Sequence, residues 1–139
     1  MAPAISINYL AVLVAAIASM IVGFLWYGPL FGKTWMKLMN FDKKKLEETK
    51  KKGMGKTYAI SFLSALVMAY VLAHFVDYLD ATTVEGALQA AFWIWLGFVA
   101  TVMLGSVLWE GKPWKLYFLN ATYYLVNLAV MASILAVWP

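Results

Sequence analysis

The sequence predicts an all-α membrane protein, a compact bundle of four transmembrane helices, and two observations support this fold class. Of the 139 residues, 64% are hydrophobic and only 13% are charged, with a mean hydropathy of +0.76, whereas about a quarter of a soluble domain is charged. Four long apolar runs each reach the roughly 20 residues that a helix needs to cross a bilayer. The runs are continuous and do not alternate in polarity, so they do not match a transmembrane β-barrel.

The four predicted helices belong to a single transmembrane domain, residues 1–139, and cover residues 5–27, 57–79, 86–109 and 115–138. The first helix is expected to end at Gly28-Pro29, because the residue before a proline is pushed out of the helical region. No Lys or Arg precedes this helix, and its apolar stretch is longer than that of a signal peptide. We therefore expect it to be retained as a membrane helix.

The basic side chains predict the orientation of the bundle. All 11 are lysines, of which nine lie in the loop 28–56 and two, Lys112 and Lys115, lie in the loop 110–115. Because lysines in short loops mark the cytoplasmic side, both loops are predicted to be cytoplasmic. The N-terminus and the C-terminus are then both outside, in a multi-pass protein of the cell (plasma or inner) membrane.

The lysine-rich segment DKKKLEETKKK, residues 42–52, reads as a solvated helix. Asp42 could cap its start, and Glu47–Lys51 and Glu48–Lys52 are favourable i,i+4 pairs. Anionic lipid headgroups would attract the loop by about 1 kcal/mol per basic residue near the surface. No aromatic residue lies between the lysines, so nucleic acid is not an expected partner.

Two similar motifs end the odd-numbered helices, LWYGPLFGKTW at 25–35 and LWEGKPWK at 108–115. One interpretation is a parallel repeat, in which helices 1–2 correspond to helices 3–4. The other is that both motifs only anchor the bundle, since tryptophans prefer the membrane interface. The anchors are Trp26, Trp35, Trp109 and Trp114.

Small residues recur every fourth position in the helices, for example in residues 11–23 and 97–105. In lipid such ridges allow helix backbones to approach closely. They predict a tightly packed bundle.

Polar side chains within a membrane helix are costly and are therefore functional candidates. Asn120, Tyr124 and Asn127 follow one face of the fourth helix, either lining a cavity or forming hydrogen bonds between helices. Glu110 ends the third helix, where a carboxylate opposes the helix dipole. If there is a cytoplasmic-side ligand site, we expect it between the two motifs, at Tyr27 and Glu110.

A second candidate site lies on the second helix, where His74 and Asp77 share a face with Tyr70. A carboxylate beside an imidazole suits proton transfer or pH sensing. The alternative is a hydrated pair at the outer rim.

Three segments of the sequence resemble a known family. They are NYLAVLVAA (8–16), WYGPLFGKTWMK (26–37) and the long stretch 95–135 that contains GSVLWEGKPWKLYFLNATYYLVN. They are similar to the DUF1761 family of uncharacterised integral membrane proteins. The resemblance implies a small four-span membrane protein, and it implies no activity and no catalytic residues.

The side-chain inventory limits the function classes. With no Cys and one His, we see no catalytic constellation, no metal site and no need for a cofactor, so an enzyme is not predicted. One remaining hypothesis is a small-solute or ion transporter or channel, formed by a homo-oligomer because four helices rarely enclose a pore. The alternative is a non-transport scaffold, or a subunit that binds lipid or another hydrophobic ligand.

Overall fold

The computed structural model describes residues 6–40, 43–51 and 53–138, and every regular element in these ranges is a helix. Four segments are long and apolar enough to cross a membrane: span 1 (Tyr9–Leu30), span 2 (Gly55–Tyr78), span 3 (Val84–Leu108) and span 4 (Trp114–Val137). The predicted all-α fold with four spans is confirmed.

Span 1 begins with a side-chain cap and passes through a wide turn before it ends. The Asn8 side-chain oxygen accepts hydrogen bonds from the backbone amides of Leu10 and Ala11 at 3.1 and 3.2 Å, which satisfies two of the unpaired amides at the helix start. Helix α1 (Tyr9–Leu25) is followed by a π-helical turn, Trp26–Leu30.

The prediction that the helix ends at Gly28-Pro29 is therefore wrong, because the helix continues through both residues to Leu30. Proline lacks an amide hydrogen and its ring crowds the preceding turn. The wider turn accommodates the ring, and the amide of Phe31 donates to the Trp26 carbonyl at 2.8 Å. Helix α2 (Gly32–Leu38) then begins within the loop expected at 28–56.

The same loop contains helix α3 (Lys43–Lys51), in which the described side chains, including Lys44 and Glu47, are exposed. This agrees with a solvated helix. The expected cap at Asp42 and the partner Lys52 lie outside the described residues.

The remaining helices form the other three spans. Spans 2 and 4 are single helices, α4 (Gly55–Tyr78) and α8 (Trp114–Val137). Span 3 is interrupted and consists of α5 (Val84–Trp95), a π turn at Leu96–Ala100, α6 (Thr101–Met103) and α7 (Gly105–Leu108). Thr83 caps the start of span 3 through its hydroxyl. After span 3 the backbone turns at Gly111, which has a φ of 70°, a conformation that glycine adopts without strain.

Span 4 lies at the centre of the packing, because it contacts the other three spans. Spans 1, 2 and 4 meet along a three-helix junction, which we call the 1–2–4 seam. Its core is formed by small and flexible side chains that are fully buried, among them Ala15, Ala69, Met131 and Ala132. These are the close helix contacts that the small-residue ridges predict.

Span 3 is peripheral and packs mainly on span 4. Two hydrogen bonds hold it there, from Trp95 Nε1 to the Ala121 carbonyl at 2.7 Å and from the Tyr117 hydroxyl to the Ala100 carbonyl at 2.8 Å. Ala100 ends the π turn, and such turns leave carbonyls without their usual helical partner. The small ridge of span 3 is not used in this packing, since Gly97 is exposed.

The packing lacks the two-fold symmetry that a parallel repeat of the two halves predicts. Span 1 packs extensively on span 4, but the corresponding pair, spans 3 and 2, makes only minor contact. The two similar motifs also fold differently, because the first continues into α2 and the second ends at the Gly111 turn.

The two ends of the bundle differ in charge. The end with α2, α3 and the Gly111 turn carries the lysines, and we call it the basic end. The opposite end holds Asp77, Asp80 and Glu85, and there Asn8 Nδ2 donates to the Trp138 carbonyl at 3.4 Å. We call it the acidic end. That the basic end is cytoplasmic stays a prediction of the lysine count.

Candidate functional site

A cavity of about 440 Å³ lies on the 1–2–4 seam at its basic half, and we call it the basic-end cavity. It extends from Tyr27 and Tyr58 near the basic end to Ser19, Met68 and Asn127, which are close to the midpoints of their spans. It therefore reaches about half of the way through the bundle.

Tyr27 forms one wall of this cavity, and the π turn positions it. Its hydroxyl donates to Asn120 Oδ1 at 2.7 Å, and its ring contacts Tyr123 and Trp35 with centroid distances of 5.1 and 5.6 Å. Gly32 packs against this turn so closely that a Cβ atom there would lie 2.6 Å from the Tyr27 carbonyl oxygen. A side chain at position 32 would therefore displace the turn that positions Tyr27.

Tyr123 brings a second hydroxyl into the cavity. It lies over Gly23, where an added Cβ would be 3.3 Å from the phenolic oxygen, and Ser19 lines the same cavity. Tyr124 stands edge-on to it, with ring centroids 5.0 Å apart. The tyrosines thus line the cavity with both ring surfaces and hydroxyl groups.

Asn127 closes the inner end of the cavity and is only 2% exposed. Its amide nitrogen contacts Met68 Sδ at 3.8 Å, and its Oδ1 atom has no hydrogen-bond partner among the described residues. A buried acceptor without a partner costs about 1–3 kcal/mol. Such a group in a native structure marks a place where a further donor is expected.

A smaller cavity of about 160 Å³ lies at the acidic end of the same seam, and we call it the acidic-end cavity. Asn8 and Ala11 of span 1, Ala73 and Asp77 of span 2, and Leu135 of span 4 contribute to it.

A closed layer separates the two cavities. Along span 2 it extends only from Met68 to Ala73, and along span 4 from Asn127 to Leu135. At 1.5 Å per residue, this layer is roughly 8–12 Å thick. It contains buried Ala, Leu and Met side chains, namely Ala15, Ala16, Ala69, Leu72, Leu128, Met131 and Ala132.

Glu110 lies in a different cavity of about 560 Å³, between α2, the end of span 3 and the start of span 4. Lys112 and Asn120 line it too. Tyr27 and Glu110 are therefore not in one cavity, and they are related only through Asn120, which accepts from Tyr27. Tyr124 and Asn127, by contrast, share the basic-end cavity with Tyr27.

His74 and Asp77, the two candidates at the acidic end, contact different groups. His74 Nδ1 lies 2.8 Å from the Tyr70 carbonyl, and its ring packs edge-on against the Tyr70 ring at 4.7 Å. Asp77 instead faces the acidic-end cavity. Among the described residues, no hydrogen bond joins His74 to Asp77.

The four predicted anchors fall into two pairs. Trp109 and Trp114 are 88% and 51% exposed, and that they anchor the bundle at a membrane interface stays a prediction. Trp26 and Trp35 pack inside an aromatic cluster, with Trp26 at 4.6 Å from Phe31. In the described part of the chain, no three His, Cys, Asp or Glu side chains are grouped as metal ligands.

Apart from Tyr27, the residues of spans 1 and 2 that line the basic-end cavity, including Ser19, Ser61 and Ser64, were not predicted from the sequence. Ser19 and Ser61 lie on ridges that read as packing surfaces. Ser19 is buried in the seam, whereas Ser61 and Ser64 are exposed. The sequence signal for this wall was the pair Ser61 and Ser64, two polar residues close together on an otherwise apolar helix.

Comparison with known proteins gives one match. A family model described as a protein of unknown function (DUF1761) matches residues 10–136. No curated protein and no solved structure matches the chain.

Proposed function

Because the chain belongs to the DUF1761 family, whose description names no activity, we propose its function from the geometry of its spans: it is a carrier that moves a small solute along the 1–2–4 seam. One observation carries the proposal. Two cavities lie toward opposite ends of one three-helix junction, and a layer of roughly 8–12 Å separates them.

The apolar layer favours a carrier over an open channel. Its buried side chains, such as Ala69, Met131 and Ala132, offer no group that could replace the water around an ion. A solute can pass only if the helices move and open one cavity while the other closes. Alternating access around a site near the bilayer midplane works in this way.

A test that does not require the solute uses single-cysteine variants, because the native chain contains no cysteine. Ser64→Cys in the basic-end cavity, Ala73→Cys at the acidic-end cavity and Lys44→Cys on α3 are labelled with a membrane-impermeant maleimide. The reagent is applied separately to right-side-out and to inside-out vesicles. Lys44→Cys reports which side the basic end faces, and the lysine count predicts the cytoplasm.

A carrier exposes its central cavity to both sides in turn. We therefore expect Ser64→Cys to react quickly from the basic side and more slowly, but measurably, from the acidic side. Lys44→Cys is the matched control, because it should react from the basic side alone. Reaction of Ser64→Cys from the basic side only contradicts the carrier.

A second candidate function is the binding of a hydrophobic ligand without transport. The mouth of the basic-end cavity is bordered by Phe24, Tyr58 and Ile60, which are 55%, 44% and 53% exposed. A molecule dissolved in the bilayer could enter between spans 1 and 2. One-sided labelling of Ser64→Cys supports this alternative.

Two further parts of the proposal concern partners. A homo-oligomer is supported by the exposure of span 3. Only 11% of its most apolar 18-residue stretch is buried, against 28–33% in the other spans. Its exposed small residues Gly97 and Thr101 suit contact with a second helix. The exposed lysines of α3 support attraction to anionic headgroups.

A further inference from the structure

We propose that the basic-end cavity selects an uncharged amphipathic molecule, one with an apolar or aromatic body and a single hydroxyl or N–H donor, and that Asn127 Oδ1 accepts this donor. This inference names the ligand class of the site and rests on the proposed function for the statement that the ligand is carried.

The need for a donor follows from the amide of Asn127. The nitrogen is directed at Met68 Sδ, a weak acceptor. The opposite orientation of the amide would place its oxygen against the sulfur lone pairs, so the nitrogen belongs there. The oxygen then remains as a buried acceptor that no described side chain satisfies. Because this atom is itself covered, the Asn127 side chain must turn toward the cavity for a ligand donor to supply what it lacks.

The uncharged state follows from the walls of the cavity. Among the described residues, no Lys, Arg, Asp, Glu or His lines it. An ion at the depth of Asn127 would have no counter-charge in a medium of low dielectric constant, which makes its binding costly. Hydroxyl groups such as those of Ser61 and Tyr123 stabilise polar ligands but do not neutralise a charge.

The apolar body follows from the rest of the lining. Met20, Phe24, Ile60 and Met68 present side chains without strong hydrogen-bonding groups, and the tyrosine rings present flat faces. Aromatic ligands gain from offset contacts with such rings. The volume of about 440 Å³ is within the usual range of roughly 300–1,000 Å³ for small-molecule sites.

The test compares three related probes in equilibrium dialysis against the full chain in lipid nanodiscs, with empty nanodiscs as the blank. Indole is uncharged and carries one N–H donor, 1-methylindole lacks the donor, and indole-3-acetate is an anion. We expect indole to bind about tenfold more tightly than 1-methylindole, as one hydrogen bond to a buried acceptor provides. Indole-3-acetate should bind no better than 1-methylindole.

Three variants assign this preference to the cavity. Asn127→Leu preserves shape and removes the acceptor, so indole should bind as weakly as 1-methylindole. Ser133→Ala is the matched control on the same span and should behave as the native chain, because the Ser133 hydroxyl bonds to the Ala129 carbonyl of its own helix. Ser64→Leu fills the cavity from an exposed position and should weaken both uncharged probes.

Equal binding of indole and 1-methylindole to the native chain overturns the proposal, as does a preference that survives in Asn127→Leu. Tighter binding of the anion overturns the uncharged class. If Asn127→Leu does not fold, unchanged indole binding by Ser64→Leu still refutes the location.

The result is separable from that of the carrier test. Indole selectivity without two-sided labelling of Ser64→Cys leaves the ligand class standing and removes the carrier. Two-sided labelling without indole selectivity supports the carrier and removes the proposed ligand class.

Discussion

Replacing Gly32 by alanine tests whether the position of Tyr27 depends on one close backbone contact. Gly32 is buried at the start of α2, directly after the π turn. A Cβ atom added there would lie 2.6 Å from the carbonyl oxygen of Tyr27 and 3.1 Å from its carbonyl carbon. Because both of these atoms belong to the backbone, no side-chain rotation relieves the contact.

The expected magnitude follows from the overlap. Ordinary van der Waals contact begins at 3.4 Å, so the backbone would have to move by about 0.8 Å to restore it. Forcing extra atoms into a packed site typically costs about 1–3 kcal/mol. The unfolding constant should rise by a factor of roughly 5 to 150.

The matched control is Gly55→Ala. Gly55 is also the first residue of a helix, α4, and a Cβ atom there would meet nothing within 4 Å. Both substitutions gain similarly from the better helix propensity of alanine, about 1 kcal/mol at most. Their difference therefore isolates the clash at Tyr27.

The assay is equilibrium unfolding of both variants by sodium dodecyl sulfate in mixed micelles, followed by tryptophan fluorescence. We expect Gly32→Ala to be less stable than Gly55→Ala by about 1–3 kcal/mol. Equal free energies of unfolding would refute the inferred contact and with it the structural account of the Tyr27 position.

Three other substitutions test separate parts of the structure. Tyr117→Phe removes the hydrogen bond to the Ala100 carbonyl and should lower the free energy of unfolding by about 0.6–1.7 kcal/mol; unchanged stability in the same titration would contradict this bond. Asn120→Leu leaves the Tyr27 hydroxyl without its acceptor and should cost about 1–3 kcal/mol, part of which the double variant with Tyr27→Phe should recover. Gly97→Leu points into open space, so it should not lower the stability of the single chain and could raise it by up to about 1 kcal/mol. It should dissociate the proposed homo-oligomer in light scattering, and an oligomer that persists would show that this face is not used.

Tyr124 and Asn127 illustrate how far the sequence reaches toward the candidate site. Their spacing placed both on one face of span 4, and both line the basic-end cavity. Asn120, which follows the same spacing, instead lines the cavity that contains Glu110, and its Oδ1 accepts the hydrogen bond from the Tyr27 hydroxyl. Helical periodicity aligns residues on a face, but it does not say which neighbouring helix covers each turn.

The π turn at Trp26–Leu30 shows a second limit. Gly28-Pro29 predicts an interruption, and an interruption is present. Whether the helix stops or widens depends on the contacts that the displaced side chains make with neighbouring helices. Here Tyr27 packs on Tyr123 and donates to Asn120 of span 4, so the helix widens and continues.

The sequence by itself determined the four spans and the unequal charge of the two ends, because hydropathy and lysine placement act along the chain and require no neighbour. The tertiary structure decided that span 4 is central, that span 3 is peripheral and that the cavities lie on the 1–2–4 seam. The physical reason is the solvent. Lipid tails are as apolar as a helix interface, so the lipid-facing and helix-facing sides of a span carry similar residues. Only the fit between small residues and their neighbours distinguishes them, as it does the buried Ala69 from the exposed Gly97.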